Sequence, residues 1–180
     1  MATPESERMK PEASRASIIV SSDRAAAGTY EDKAGPAARE RLEAMGFVVS
    51  AIAVVPDERE RIIASLDQVV PLHDLIVVSG GTGISPRDIT PQTLEDYCDY
   101  DVPGLGEYLR RESFQFSANA FLSRCGAWVS GNTLILAVPG NPKAVVEQLD
   151  ILKDMLPHAL NAVKGTCQHR SRKDVPVHHD

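Results

Sequence analysis

The stretch Leu75-Ile76-Val77-Val78-Ser79-Gly80-Gly81-Thr82-Gly83-Ile84-Ser85-Pro86-Arg87-Asp88 decides how this chain is read. Its apolar start is what a strand covered on both faces requires. Three glycines within four positions then open backbone conformations that are closed to other residues, so the chain can turn sharply and lie close to a ligand. The amides of such a turn form a concave nest for an anion. Arg87 and Asp88 add a guanidinium fork for phosphate and an oxygen ligand for a hard cation. Strand, glycine turn and charged pair, in that order, make an anion site at the carboxyl end of a parallel sheet.

Outward from this stretch, strands and helices alternate. Ser17-Ile18-Ile19-Val20 starts a buried strand that ends at Ser21-Ser22-Asp23-Arg24. A loop with Gly28 follows, and Asp32 is placed to cap a helix from Lys33 to Met45. Ala34, Ala37, Ala38, Leu42 and Met45 form its apolar face, and Gly46 closes it. Phe47 to Val55 reads as a strand with Pro56-Asp57 as its exit, and Glu58 to Val70 as a helix. Asp74 to Ser79 is the next strand. Thr90 is the expected cap of the helix after the glycine turn, with Pro91 in its first position. Pro103-Gly104 is expected to separate that helix from another, Leu105 to about Phe116. Ala127 to Val138 reads as two strands around a tight Gly131-Asn132 turn. Pro139-Gly140-Asn141-Pro142 leads into a long helix to Val163 that Pro157 kinks or splits.

This order predicts one three-layer α/β/α domain over residues 16–165, with a mostly parallel sheet and a small β-hairpin. Residues 1–15 read as a disordered leader and 166–180 as a flexible tail. At 180 residues the chain suffices for one domain and not for two ordinary ones. The formal charge of −6 argues against a nucleic-acid binder, which shows a basic face. Cys98, Cys125 and Cys167 are few, scattered and odd in number, as suits a reducing compartment. No apolar run makes a signal peptide or a membrane span of roughly 20 residues, so the cytoplasm is the expected location.

The polar strand exits Ser22-Asp23, Asp57, Gly80–Gly83 and Pro139–Pro142 share one rim of such a sheet, where open α/β proteins hold ligands. Taken singly, each is also what any turn prefers. The glycine loop exceeds a turn's needs, because Arg87 and Asp88 come with it. Asp32 and Asp57 each have two readings, as helix cap or as ligand-facing carboxylate. Gly140 between prolines presents amides at a helix start, another seat for phosphate. A Walker pattern and the G-x-G-x-x-G fingerprint are both absent, and no histidine stands near a strand exit.

With Ser21-Ser22-Asp23-Arg24, Tyr30-Glu31-Asp32-Lys33, Val54-Val55-Pro56-Asp57, Ser79 through Pro91, Pro103-Gly104, Leu122-Ser123-Arg124 and Thr133 through Pro142 in this order, the chain resembles the MogA/MoaB family of molybdenum-cofactor biosynthesis. That family includes the gephyrin and plant Cnx G domains. The resemblance covers roughly Ser17 to Gly165. It implies a homotrimer that adenylates molybdopterin with Mg-ATP, releases pyrophosphate and passes its product to a molybdenum-insertion activity. It also implies functional positions at Ser22, Asp32, Asp57, Thr82, Asp88 and Ser113. Asp57 and Asp88 stand where the family's two catalytic acids do, with Mg²⁺ as their expected ligand. Gly80, Gly81, Thr82, Gly83, Arg87, Pro139, Gly140, Asn141 and Pro142 are the expected pterin- and nucleotide-binding segments. Two rivals remain: a non-catalytic molybdopterin carrier of the MoaB type, and a nucleotide pyrophosphatase built on the related CinA domain.

Overall fold

The computed structural model describes residues 13–166; the tail beyond and most of the expected leader, with Cys167, lie outside the described residues. Its elements run β1 (Arg15–Ser21), α1 (Asp23–Ala26), α2 (Ala34–Ala44), β2 (Val48–Val55), α3 (Arg59–Val69), β3 (Leu75–Ser79) and α4 (Thr90–Tyr97). Then follow β4 (Tyr100–Asp101), α5 (Pro103–Ser113), β5 (Gly126–Ser130), β6 (Thr133–Val138), α6 (Pro142–Leu152) and α7 (Leu156–Val163). Single 3₁₀ turns stand at Val70–Leu72 and Ala118–Leu122.

The six strands form one sheet in the order β2-β1-β3-β6-β5-β4. β2, β1, β3 and β6 are mutually parallel, and β5 and β4 are antiparallel to their neighbours. β3 is buried at every position because both of its faces are covered. Ile18 and Val20 of β1 join a core with Leu42 of α2 and Val145 and Leu149 of α6. Ile19 points the other way, to Ile62 and Leu66 of α3 and Leu94 of α4. The expected three-layer α/β/α fold is therefore observed, and no helix among the described residues is long and apolar enough to cross a membrane.

Register sets up the site. Ser21 pairs with Val55, Val20 with Ser79, and Ser79 with Val138. The parallel strands thus end level, and their four exits share one rim. Local expectations are corrected in two places. Thr90 does not cap α4: Ile89 holds that position, and the Thr90 hydroxyl donates to Gly80 O at 2.8 Å instead. Pro103-Gly104 opens α5 rather than separating it, since proline fits a first turn that needs no amide donor. The long helix is split in two, as expected, with Pro157 in the first turn of α7.

Candidate active site

The glycine turn is forced by its neighbours. Gly80 has φ +105°, and a Cβ there would lie 2.2 Å from Ser21 O, so the β3 exit presses against the β1 exit. Gly80 N donates to Val138 O at 2.9 Å, and Ser79 Oγ to Pro139 O at 3.0 Å, which ties the β6 exit alongside. A Cβ on Gly83 would meet Asp88 Oδ2 at 2.7 Å; the acid folds back over the turn. There Asp88 Oδ2 accepts Ser85 N at 2.8 Å. Arg124 fastens this loop from outside: its backbone N donates to Thr82 O at 2.7 Å, Nε to Gly83 O at 2.8 Å, and Nη2 to Asp88 O.

These exits surround a cavity of about 660 Å³, a size suited to a small organic ligand. Ser22, Asp32, Gly80–Gly83, Asp88, Ser113 and Pro139–Pro142 all line it, so most of the expected site residues meet on one wall system. Several already have structural work. Ser22 Oγ caps α1, accepting Ala25 N at 3.3 Å. Lys33 holds the cap position of α2, yet Asp32 Oδ1, one residue earlier, accepts the first helical amides, Ala34 N and Gly35 N, at 2.9 and 3.1 Å, and the residue also lines the cavity. Asn141 Oδ1 caps α6 through Lys143 N and Ala144 N. Ser113 ends α5, buried, with no partner for its hydroxyl.

Two expected residues stand off the wall. Asp57 does not line the cavity, and it does not cap α3 either, whose cap position is Glu58. Its carboxylate turns to β1: Oδ1 accepts Ser21 Oγ at 2.6 Å and Oδ2 accepts Asp23 N at 3.0 Å. Asp57 N returns a bond to Asp23 Oδ1 at 2.9 Å. Arg87 is likewise outside, and its partner is Asp23 rather than Asp88, with Nε and Nη2 at 3.1 and 2.6 Å from Asp23 Oδ2. The Arg87 hydrogen bond, followed by the Asp57 amide, holds the Asp23 carboxyl below the usual carboxylate range. Asp23 therefore joins the loops that carry Asp57 and Asp88.

Asp23, Arg124 and Gln148 were not singled out from the sequence. The first two sat inside quoted motifs without a role. Gln148 had a signal: it shares the inward stripe of α6 with Val145, Leu149 and Leu152, where an apolar residue is expected. His73 and Cys98 do not line the cavity. His73 Nδ1 donates to Val69 O at 2.7 Å and Nε2 accepts from Ser50. Burial, with Asp99 and Glu95 behind it, pushes the Cys98 thiol up to about 12, away from the thiolate form. Among the described residues no group of three or more His, Cys, Asp and Glu forms a protein-only metal cage.

Residues 17–158 match the family model described as "Probable molybdopterin binding domain". The molybdopterin adenylyltransferase of Helicobacter pylori strain 26695 is 34% identical over 164 residues, 88% of this chain and 92% of that protein. The molybdenum cofactor biosynthesis bifunctional protein of Synechococcus elongatus is 36% identical over 151 residues, 83% of this chain; the chain spans 47% of that longer relative. The crystal structure of the molybdopterin biosynthesis enzyme MoaB from Thermus thermophilus superposes with a TM-score of 0.79 at 40% identity, covering 84% of this chain and 97% of that one. With the level strand ends and the glycine-lined cavity in place, these matches show that the chain belongs to the molybdopterin-binding domain family of molybdenum-cofactor biosynthesis.

Proposed function

We propose that this protein is a molybdopterin adenylyltransferase. An oxygen of the molybdopterin phosphate attacks the α-phosphorus of ATP, a new P–O bond forms, and the bond to the β-phosphate oxygen breaks to release pyrophosphate. One observation carries the reading: the glycine amides, Ser22, Asp32, Asp88 and Ser113 converge on one cavity in a chain similar over most of its length to relatives bearing that name. Such a transfer asks a protein for positioning and charge neutralisation more than for covalent chemistry.

The amides of Gly81–Gly83 and of Gly140 and Asn141, ahead of α6, hold phosphate oxygens, and the hydroxyls of Ser22 and Thr82 add donors. Asp88 fits a magnesium ion that arrives with ATP: it faces the cavity and uses only Oδ2 for Ser85 N, and Mg²⁺ on nucleotides needs one or two carboxylates beside the phosphates. Asp57 does not fit as its second ligand, because both of its oxygens are engaged behind the wall. When bound, the ion supplies charge neutralisation on the leaving pyrophosphate. Asp57 is a positioning residue, holding Ser21 and Asp23. Arg87 reaches phosphate by exchanging Asp23 for it.

The protein works as a homotrimer in the cytoplasm and hands its product to a molybdenum-insertion protein; sedimentation equilibrium tests the trimer. The central test is incubation with molybdopterin, α-labelled ATP and magnesium, followed by mass analysis of the pterin. Label on the pterin and stoichiometric pyrophosphate are expected. Tight pterin binding without transfer would identify a carrier instead, and free AMP without a pterin product would identify a pyrophosphatase.

A further inference from the structure

Among the described residues, two buried side-chain polar atoms have no hydrogen-bond partner: Gln148 Oε1 and Ser113 Oγ. Gln148 is 3% exposed and Ser113 8%. They come from different helices, α6 and α5, yet both line the same cavity. An unpaired buried amide is unfavourable, and a leucine would serve the core stripe of α6 better. The neighbouring Glu147 offers a contrast, since it has an ion-pair partner in Lys143 at 3.7 Å. Two orphans among the residues of one cavity, on helices α5 and α6 that pack against each other, mark the place where a bound molecule completes the hydrogen bonding.

The chemistry follows from the atoms. An amide oxygen accepts, so Gln148 faces an N–H donor; a serine hydroxyl can donate, so Ser113 serves an adjoining acceptor. A planar nitrogen heterocycle carries such a donor beside an acceptor on one edge. The phosphate-binding amides stand on other walls, at the β3 and β6 exits. We propose that Gln148 and Ser113 form a recognition wall that reads the N–H-bearing edge of the ring of one bound substrate. The inference rests on the adenylyltransferase reading for which rings are on offer: pterin and adenine share this edge chemistry.

Gln148→Leu, nearly isosteric, tests it in the full chain. Molybdopterin and ATP are titrated separately by calorimetry, and the ligand-free melting temperature is recorded. The expected result is an unchanged or raised melting temperature, with affinity for one ligand down about 10-fold or more and for the other within about 2-fold. A loss confined to molybdopterin assigns the wall to the pterin; a loss confined to ATP assigns it to adenine. Ser113→Ala should weaken the same ligand. Undiminished binding of both ligands overturns the proposal, as does an equal loss of both, or a loss accompanied by a lower melting temperature, which marks a purely structural side chain. Ser113→Ala weakening the other ligand, or neither, overturns it too. Wild-type protein that binds neither ligand instead refutes the adenylyltransferase reading, and this inference with it.

Discussion

Replacing Asp57 by alanine asks whether its carboxylate holds loops or touches substrate. Two hydrogen bonds would be lost, from Ser21 Oγ at 2.6 Å and from Asp23 N at 3.0 Å, both partly buried. The bond from Asp57 N to Asp23 Oδ1 survives, because it uses the backbone. Hydrogen bonds to a charged acceptor contribute about 1.5–3 kcal/mol each, and partial exposure favours the lower end, giving about 3 kcal/mol for the pair. In a domain of this size that lowers the melting temperature by about 6–12 °C. With Asp23 loosened, Arg87 and the Asp88 loop lose their tie to β1, and kcat for adenylyl transfer should fall about 10- to 100-fold while the molybdopterin KM changes less. Urea denaturation at constant m-value and steady-state pyrophosphate release measure the two effects. A variant that melts within 1 °C of the wild type yet has no turnover (~1 °C being the width of an ordinary surface change) would refute the positioning argument and put Asp57 on the reacting groups.

Gly80→Ala should destabilise by about 3 kcal/mol or more in urea, since it combines backbone strain with a Cβ 2.2 Å from Ser21 O. Gly83→Ala should stay within about 1 kcal/mol in the same assay, because the Asp88 side chain in its way can swing; transfer, however, should drop about 100-fold as Asp88 is displaced. Asp88→Asn keeps shape and removes charge, so magnesium-dependent transfer should fall while melting stays near wild type; transfer at the normal rate would remove Asp88 from the metal role. Asp23, whose carboxyl is held below 3.8 by Arg87 and then the Asp57 amide, contributes stability above that pH and loses it as pH falls through the depressed value. Arg87→Gln or 1 M salt should therefore flatten the fall of the urea midpoint between about pH 5 and pH 3.

Much of the fold was legible because its signals are local. The runs at Ser17–Val20 and Leu75–Val78 read as buried strands, and glycine and proline marked where they stop. The rim followed, since parallel strands of similar length end together. Four short elements escaped: α1, the turn at Val70–Leu72, β4 and the turn at Ala118–Leu122 are too brief to show a period. What the sequence hid in the site is long-range pairing. Asp57 meets Asp23 across 34 positions and Arg87 meets Asp23 across 64, and no spacing rule announces either. Arg87 next to Asp88 suggested a local pair, but the loop folds the acid inward over Gly83 and sends the base outward to α1. Gln148 was visible as a polar break in an apolar stripe, although only the cavity gives that break a meaning.

Arg124 acts as a splint of fixed span. One guanidinium bridges Gly83 O and Asp88 O while its own amide grips Thr82 O. The path between those carbonyls cannot lengthen or shorten by a residue without breaking a rung, so tolerance for insertions is low there and higher in the exposed stretch 27–31 that follows α1. Loop-length engineering of substrate range in this scaffold should start from the second segment and leave the first untouched.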